Sequence, residues 1–177
     1  MDTTKKRYYL NSNELAVLMA NSGIKSLYGL GSAKPMDNKD ICMVLHSLYV
    51  NKIIDNYNQE GFVIDKDVRE IMGIIRKSRY VMAVNAEKTD HILECCYLGE
   101  KIAVVSIDEK SRDIICIYAM DKDEIVEELM QIAAEGNSLS ISLKNVSDGQ
   151  EREKVAISAE TTKDFINGYI SKYCKEE

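Results

Sequence analysis

The chain contains no tryptophan, one proline and two histidines. None of its apolar runs approaches the roughly 20 residues that a membrane-spanning helix needs, so membrane insertion is not expected. The opening Met1-Asp2-Thr3-Thr4-Lys5-Lys6-Arg7 is basic but leads into no apolar segment. That pattern argues against a secretory signal and for a cytoplasmic protein. The five cysteines, Cys42, Cys95, Cys96, Cys116 and Cys174, are odd in number and lack CxxC spacing. They read as reduced, packed thiols, not as a disulfide or zinc framework. Cys95 and Cys96 are adjacent, so in a strand they point to opposite faces and cannot hold one ion together.

Catalytic patterns are missing too. Gly29-x-Gly31-x-x-Lys34 has neither the third glycine of a dinucleotide loop nor the spacing of a Walker loop, and Pro35 follows it, so it reads as a connector. No Gly-x-Ser-x-Gly elbow or His-Glu-x-x-His pair occurs. Cys116 sits among Ile114, Ile115 and Ile117, surroundings that raise a thiol pKa and leave it inert. His46 and His91 lie far apart without a Cys or carboxylate at ligand spacing. The acidic group Asp121, Asp123, Glu124, Glu127 and Glu128 would be spread round a helix, where it suits the N-terminal dipole. No enzyme activity, cofactor or metal is therefore expected.

Charge counts against nucleic acid. The net charge is −6. Residues 1–120 carry 16 basic and 16 acidic side chains and residues 121–177 carry 7 and 13, so the excess lies at the C-terminal end, where it repels phosphate. A winged-helix reading of residues 37–64 fails because the helix from Asp37 to Val50 has no basic face.

A chain of 177 residues suits one domain. Asn11 with Glu14 forms a capping box and Gly23 a left-handed stop, predicting a first helix. Asp37 caps a second helix with Ile41, Val44, Leu45 and Leu48 on one face, and Asp65 a third with Val68, Ile71, Met72 and Ile75. Between them Ile53-Ile54 and Phe62-Val63-Ile64 read as a hairpin. Tyr80–Asn85, His91–Leu98, Lys101–Ile107 and Asp113–Met120 follow too closely for parallel crossovers, which predicts an antiparallel meander. A helix from Asp121 to Glu135 ends at Gly136, and a second hairpin pairs Leu139–Leu143 with Lys154–Ser158. A last helix starts at Thr161 or Thr162. The expected architecture is α+β: residues 1–79 mainly helical with a hairpin, so that the N-terminus is a helix–hairpin–helix segment, residues 80–120 a meander sheet with flanking helices, and residues 121–177 helix, hairpin and helix.

Interaction features are more consistent than catalytic ones. The chain has ten tyrosines and eight methionines. Phe165, Tyr169 and Tyr173 form a stripe on the last helix, and Tyr97 stands on a central strand; these four are the candidate partner-binding residues. An unclosed meander also leaves edge strands open to a partner.

The order Tyr8-Tyr9-Leu10, Glu14-Leu15-x-x-Leu18-Met19, Gly23-x-x-x-Leu27-x-Gly29, Leu45-x-x-Leu48, Gly61-Phe62-x-Ile64-Asp65 and Tyr80-Val81, followed by a tyrosine-bearing, a Val-Val and an isoleucine-rich strand and an Asp-capped helix, resembles the EspG-like proteins of type VII (ESX) secretion systems. The likeness runs over roughly residues 8–133 and is nearest to the shorter Gram-positive members. It implies a cytosolic, non-catalytic chaperone or adaptor that binds elongated helical secretion substrates. The longer members have two similar halves, so a second copy of this chain is a further candidate partner. An immunity protein that neutralises a co-encoded toxin is the alternative expectation, ahead of an enzyme and a DNA-binding regulator.

Overall fold

A computed structural model describes residues 5–32, 35–58, 60–86, 92–108, 113–135 and 138–174. The elements run β1 (Tyr8–Leu10), α1 (Ser12–Ser22), β2 (Ser26–Leu27), β3 (Gly31–Ser32), α2 (Asn38–Val50), β4 (Ile54–Asn58), β5 (Gly61–Ile64) and α3 (Lys66–Lys77). They continue through β6 (Tyr80–Ala86), β7 (Ile92–Tyr97), β8 (Ile102–Asp108), β9 (Ile115–Met120), α4 (Lys122–Ala134), β10 (Leu139–Asn145), β11 (Glu151–Ile157) and α5 (Lys163–Cys174).

The helix starts follow the capping chemistry. Asn11 Oδ1 accepts from the N–H groups of Asn13 and Glu14, while Glu14 Oε2 accepts from Asn11 N–H at 2.8 Å. The other Glu14 oxygen accepts from Ser47 Oγ at 2.6 Å, so one buried carboxylate both caps α1 and ties it to α2. Asp37 and Asp65 cap α2 and α3 through their own carboxylates. Gly23 closes α1 at φ 71°, where a Cβ would be strained. His91 and Gly136 lie outside the described residues.

A seven-stranded antiparallel sheet, ordered β1-β9-β8-β7-β6-β10-β11, carries the fold, which is α+β. The meander β6–β9 forms its centre, and three strands extend it beyond what periodicity shows. The short N-terminal strand β1 pairs with β9, Tyr8 opposite Ile117. The hairpin β10–β11 is not separate: β10 docks along all of β6, from Leu139 opposite Ala86 to Asn145 opposite Tyr80. Two small ladders stand apart, β2 with β3 and β4 with β5. The first of these occupies part of the stretch that reads as a connector.

Strand alternation gives each sheet face its own core. Cys95, Tyr97, Ala103, Val105, Ile115 and Ile117 meet α1, α2 and α3 on one face. Cys96, Val104, Tyr118, Met120, Ile141 and Leu143 meet α4 and α5 on the other. The two helix layers are offset. The first cluster draws on β1, β9, β8, β7 and, through Val81, β6, whereas the second reaches β10 and β11.

Candidate functional site

The four residues singled out from sequence do not share a surface. Helix α5 opens at Thr162, whose Oγ1 accepts from Phe165 N–H at 3.3 Å. Ile166 and Ile170 are buried, and Phe165 is half exposed. Tyr169 and Tyr173 are partly buried and pack edge-on, 5.7 Å between centroids, and Tyr173 meets Tyr80 in the same way at 5.3 Å. Tyr173 donates its hydroxyl to Glu153 on β11. That hydrogen bond holds the Glu153 carboxyl below its ordinary range. The Tyr169 hydroxyl is buried without a hydrogen-bond partner among the described residues, and burial pushes its pKa up. The stripe therefore closes the sheet at β10–β11 and leaves Phe165 for outside contact. Tyr97 is fully buried on the opposite face, where its hydroxyl accepts from Tyr28 N–H at 3.0 Å. It is a core residue, because a β7 side chain of that register points under α3.

Sequence reasoning passed over a polar group on the α4 side. Across the sheet run Val155, Ile141, Val84, Glu94, Ser106, Cys116 and Tyr9, each opposite the next. The row is apolar on β11, β10 and β6 and turns polar at Glu94 on β7. Tyr118 Oη stands 3.5 Å from Glu94 Oε1, the Arg7 guanidinium lies 4.6 Å above the Tyr118 ring, and Lys5 pairs with Glu128 of α4 at 3.5 Å. Burial, reinforced by the nearby Glu128 charge, lifts Glu94 to about 7. Glu94 thus changes charge near neutrality. The sequence signal for it was a carboxylate in an otherwise apolar strand, on the same face as Cys96. The thiols are poor nucleophiles: burial pushes Cys95 up to about 12, and raises Cys96 and Cys116 as well.

The outer surface of the α1–α3 layer is apolar in places. Helix α2 buries only Val44 and Leu48 of its 13 residues. Met43 is 60% exposed, Val50 61% and Tyr49 49%, and Val63 on β5 is 49% exposed. Tyr49 packs edge-on to Tyr57 of β4, whose hydroxyl lies 3.3 Å from His46 Nδ1. Cys42 is exposed on the same helix, unlike the packed Cys95, Cys96 and Cys116.

No protein-family model and no curated protein matches this chain. Its site has to be read from its own geometry. Among the described residues no helix is long and apolar enough to cross a membrane, and no three His, Cys, Asp or Glu side chains are grouped to hold a metal ion. The Glu94 group can exchange a proton but lines none of the three cavities described, whose walls are formed by α1, α3, α5, β5, Tyr97 of β7 and neighbouring turns. What the surface offers instead is unburied apolar area on α2 and the β4–β5 ladder.

Proposed function

We propose that the chain is a cytoplasmic, non-catalytic chaperone or adaptor that binds helical substrates of a type VII secretion system. One observation supports the protein-binding part of this reading. Of the seven large hydrophobic side chains exposed among the described residues, Met43, Tyr49, Val50 and Val63 fall within the short span from α2 to β5. Apolar side chains gathered on one outer element mark protein contacts, whereas scattered ones do not. The resemblance of the sequence to EspG-like proteins supports the secretion part. Helix α2 has a second apolar side because its first is used for docking on α1 through Val44, Leu48 and the Ser47–Glu14 hydrogen bond.

Co-expression with a helical secretion substrate encoded beside the chain tests the reading. The expected result is a stoichiometric complex by light scattering. Met43→Asp or Val50→Asp weakens it by about 2 kcal/mol, a hot-spot magnitude, with the melting temperature unchanged. A complex indifferent to both substitutions overturns the placement on α2. Neutralisation of a co-encoded toxin, with helical substrates ignored, would replace the chaperone reading by the immunity one.

A further inference from the structure

We infer that the groove between α3 and the β4–β5 ladder receives an acidic helix of the protein partner, with that helix crossing α3 at Gly73. This deepens the protein-binding reading above and rests on it. The groove, a concavity of about 450 Å³, has Phe62, Val63 and Met72 among its apolar walls and Arg69, Gly73 and Arg76 along its α3 side.

Three features define the occupant. The first is charge. Arg69 and Arg76 are the charged side chains lining the groove, on a protein of net charge −6. The carboxylates of α3 are neutralised within the molecule, Asp67 by Lys6 at 3.2 Å and Glu70 by Lys101 at 2.8 Å. Arg76 and Lys77 have no carboxylate partner among the described residues. A C-terminal cation suits the helix dipole, but Arg69 is the fourth residue of α3, near its N-terminus, and it is held in place by donating from Nη2 to Ile64 O at 2.8 Å. One of its five donors is used in that bond, and the rest remain for an incoming acid. The second feature is spacing. Arg69 and Arg76 lie two turns apart on one face, about 10 Å along the axis, which matches two carboxylates seven residues apart on another helix.

The third is Gly73 itself, midway between them. A glycine inside a helix costs about 1 kcal/mol relative to alanine. A Cβ at Gly73 would meet nothing within 4 Å, so no packing inside the protein requires the glycine. A bare backbone there lets a second helix approach closely. The partner segment is therefore acidic, then apolar or small about midway, then acidic again at the seventh position.

The probe is a helical peptide of about 20 residues with glutamates two turns apart and a leucine between them, titrated into the 15N-labelled protein and followed by amide shifts. Matched peptides carry glutamine or lysine in place of glutamate. The expected result is a saturable shift centred on Val63, Arg69, Gly73 and Arg76 with the glutamate peptide, and about tenfold weaker binding of the glutamine one. Arg76→Glu reverses the preference toward the lysine peptide. Gly73→Ala raises the melting temperature while weakening binding severalfold, a pairing that a merely structural glycine would not show. Equal binding of the glutamate and glutamine peptides, shifts centred elsewhere, or no shift at millimolar peptide overturns the inference. A substrate complex broken by Met43→Asp but untouched by Arg76→Glu leaves the proposed function standing and removes this groove from it. A complex indifferent to both removes this groove and the placement on α2, and no complex at all removes the proposed function.

Discussion

The two helix layers treat the sheet differently. On the α1–α3 side the core gathers under the β1–β7 half, and the outer helix surface still carries Met43, Tyr49 and Val50 in water. On the α4–α5 side the core shifts toward β10 and β11, the helices expose Phe165 as their large hydrophobic side chain, and the sheet toward β1 carries the partly buried Glu94 beside Ser106 and the packed Cys116. One layer leaves apolar surface where a partner can remove it from water. The other holds a partly buried carboxylate, Glu94, with Arg7 over the neighbouring Tyr118 ring and Lys5 paired to Glu128 of α4. A seven-stranded sheet is wider than two or three short helices can cover, and the offset shows where each face met that shortage.

The comparison breaks most readily in the first core. Tyr97→Ala empties a fully buried site beneath α3 and is expected to cost about 3–5 kcal/mol, measured by urea unfolding. If the loss is under about 1 kcal/mol, the α1–α3 layer is not the packed one.

A second test sharpens the polar side. Glu94 is raised from 4.5 to about 7 in the folded protein, so between those values the native state holds the extra proton. Stability from this group is full below pH 4.5 and is lost as pH rises toward 7 and beyond, the reverse of a salt-bridged carboxylate. Glu94→Gln mimics the protonated form. The variant is expected to exceed wild type by about 2 kcal/mol at pH 8 and to match it at pH 4.5, in parallel unfolding series. An unchanged difference across that range would mean that Glu94 is hydrated when charged.

The smallest effect concerns the α5 stripe. Tyr169→Phe deletes a buried hydroxyl that has no partner among the described residues, so the variant is expected to be as stable as wild type or up to about 1 kcal/mol more stable, read from thermal melts. A clear loss would reveal a bond to that hydroxyl and return the stripe to the candidate contacts.

Much of the fold was legible in the residues. Asn11, Asp37 and Asp65 announce three helix starts because capping is a local interaction between a side chain and N–H groups two or three residues on. The meander follows from short spacing. The β6–β10 pairing and the β1–β9 pairing were not legible, because they join segments far apart in sequence and no local pattern records which edge a strand will choose. The candidate site suffered for a related reason. A tyrosine at helical spacing looks the same whether a sheet lies beneath it or not, so Tyr97 and the α5 stripe were indistinguishable until burial separated them. The second apolar side of α2 went unread because the periodicity of Val44 and Leu48 accounted for the helix already.

Strand β1 has a consequence for how the chain is made. Tyr8 is synthesised more than a hundred positions before its partner Ile117. At about 5–20 residues per second, the ribosome needs roughly 5–20 s to deliver that partner. Through that interval β1 has no strand to lie against, so Tyr8 and Leu10, buried in the finished protein, lack that cover. The sheet closes at its N-terminal edge only after the centre of the meander has been synthesised.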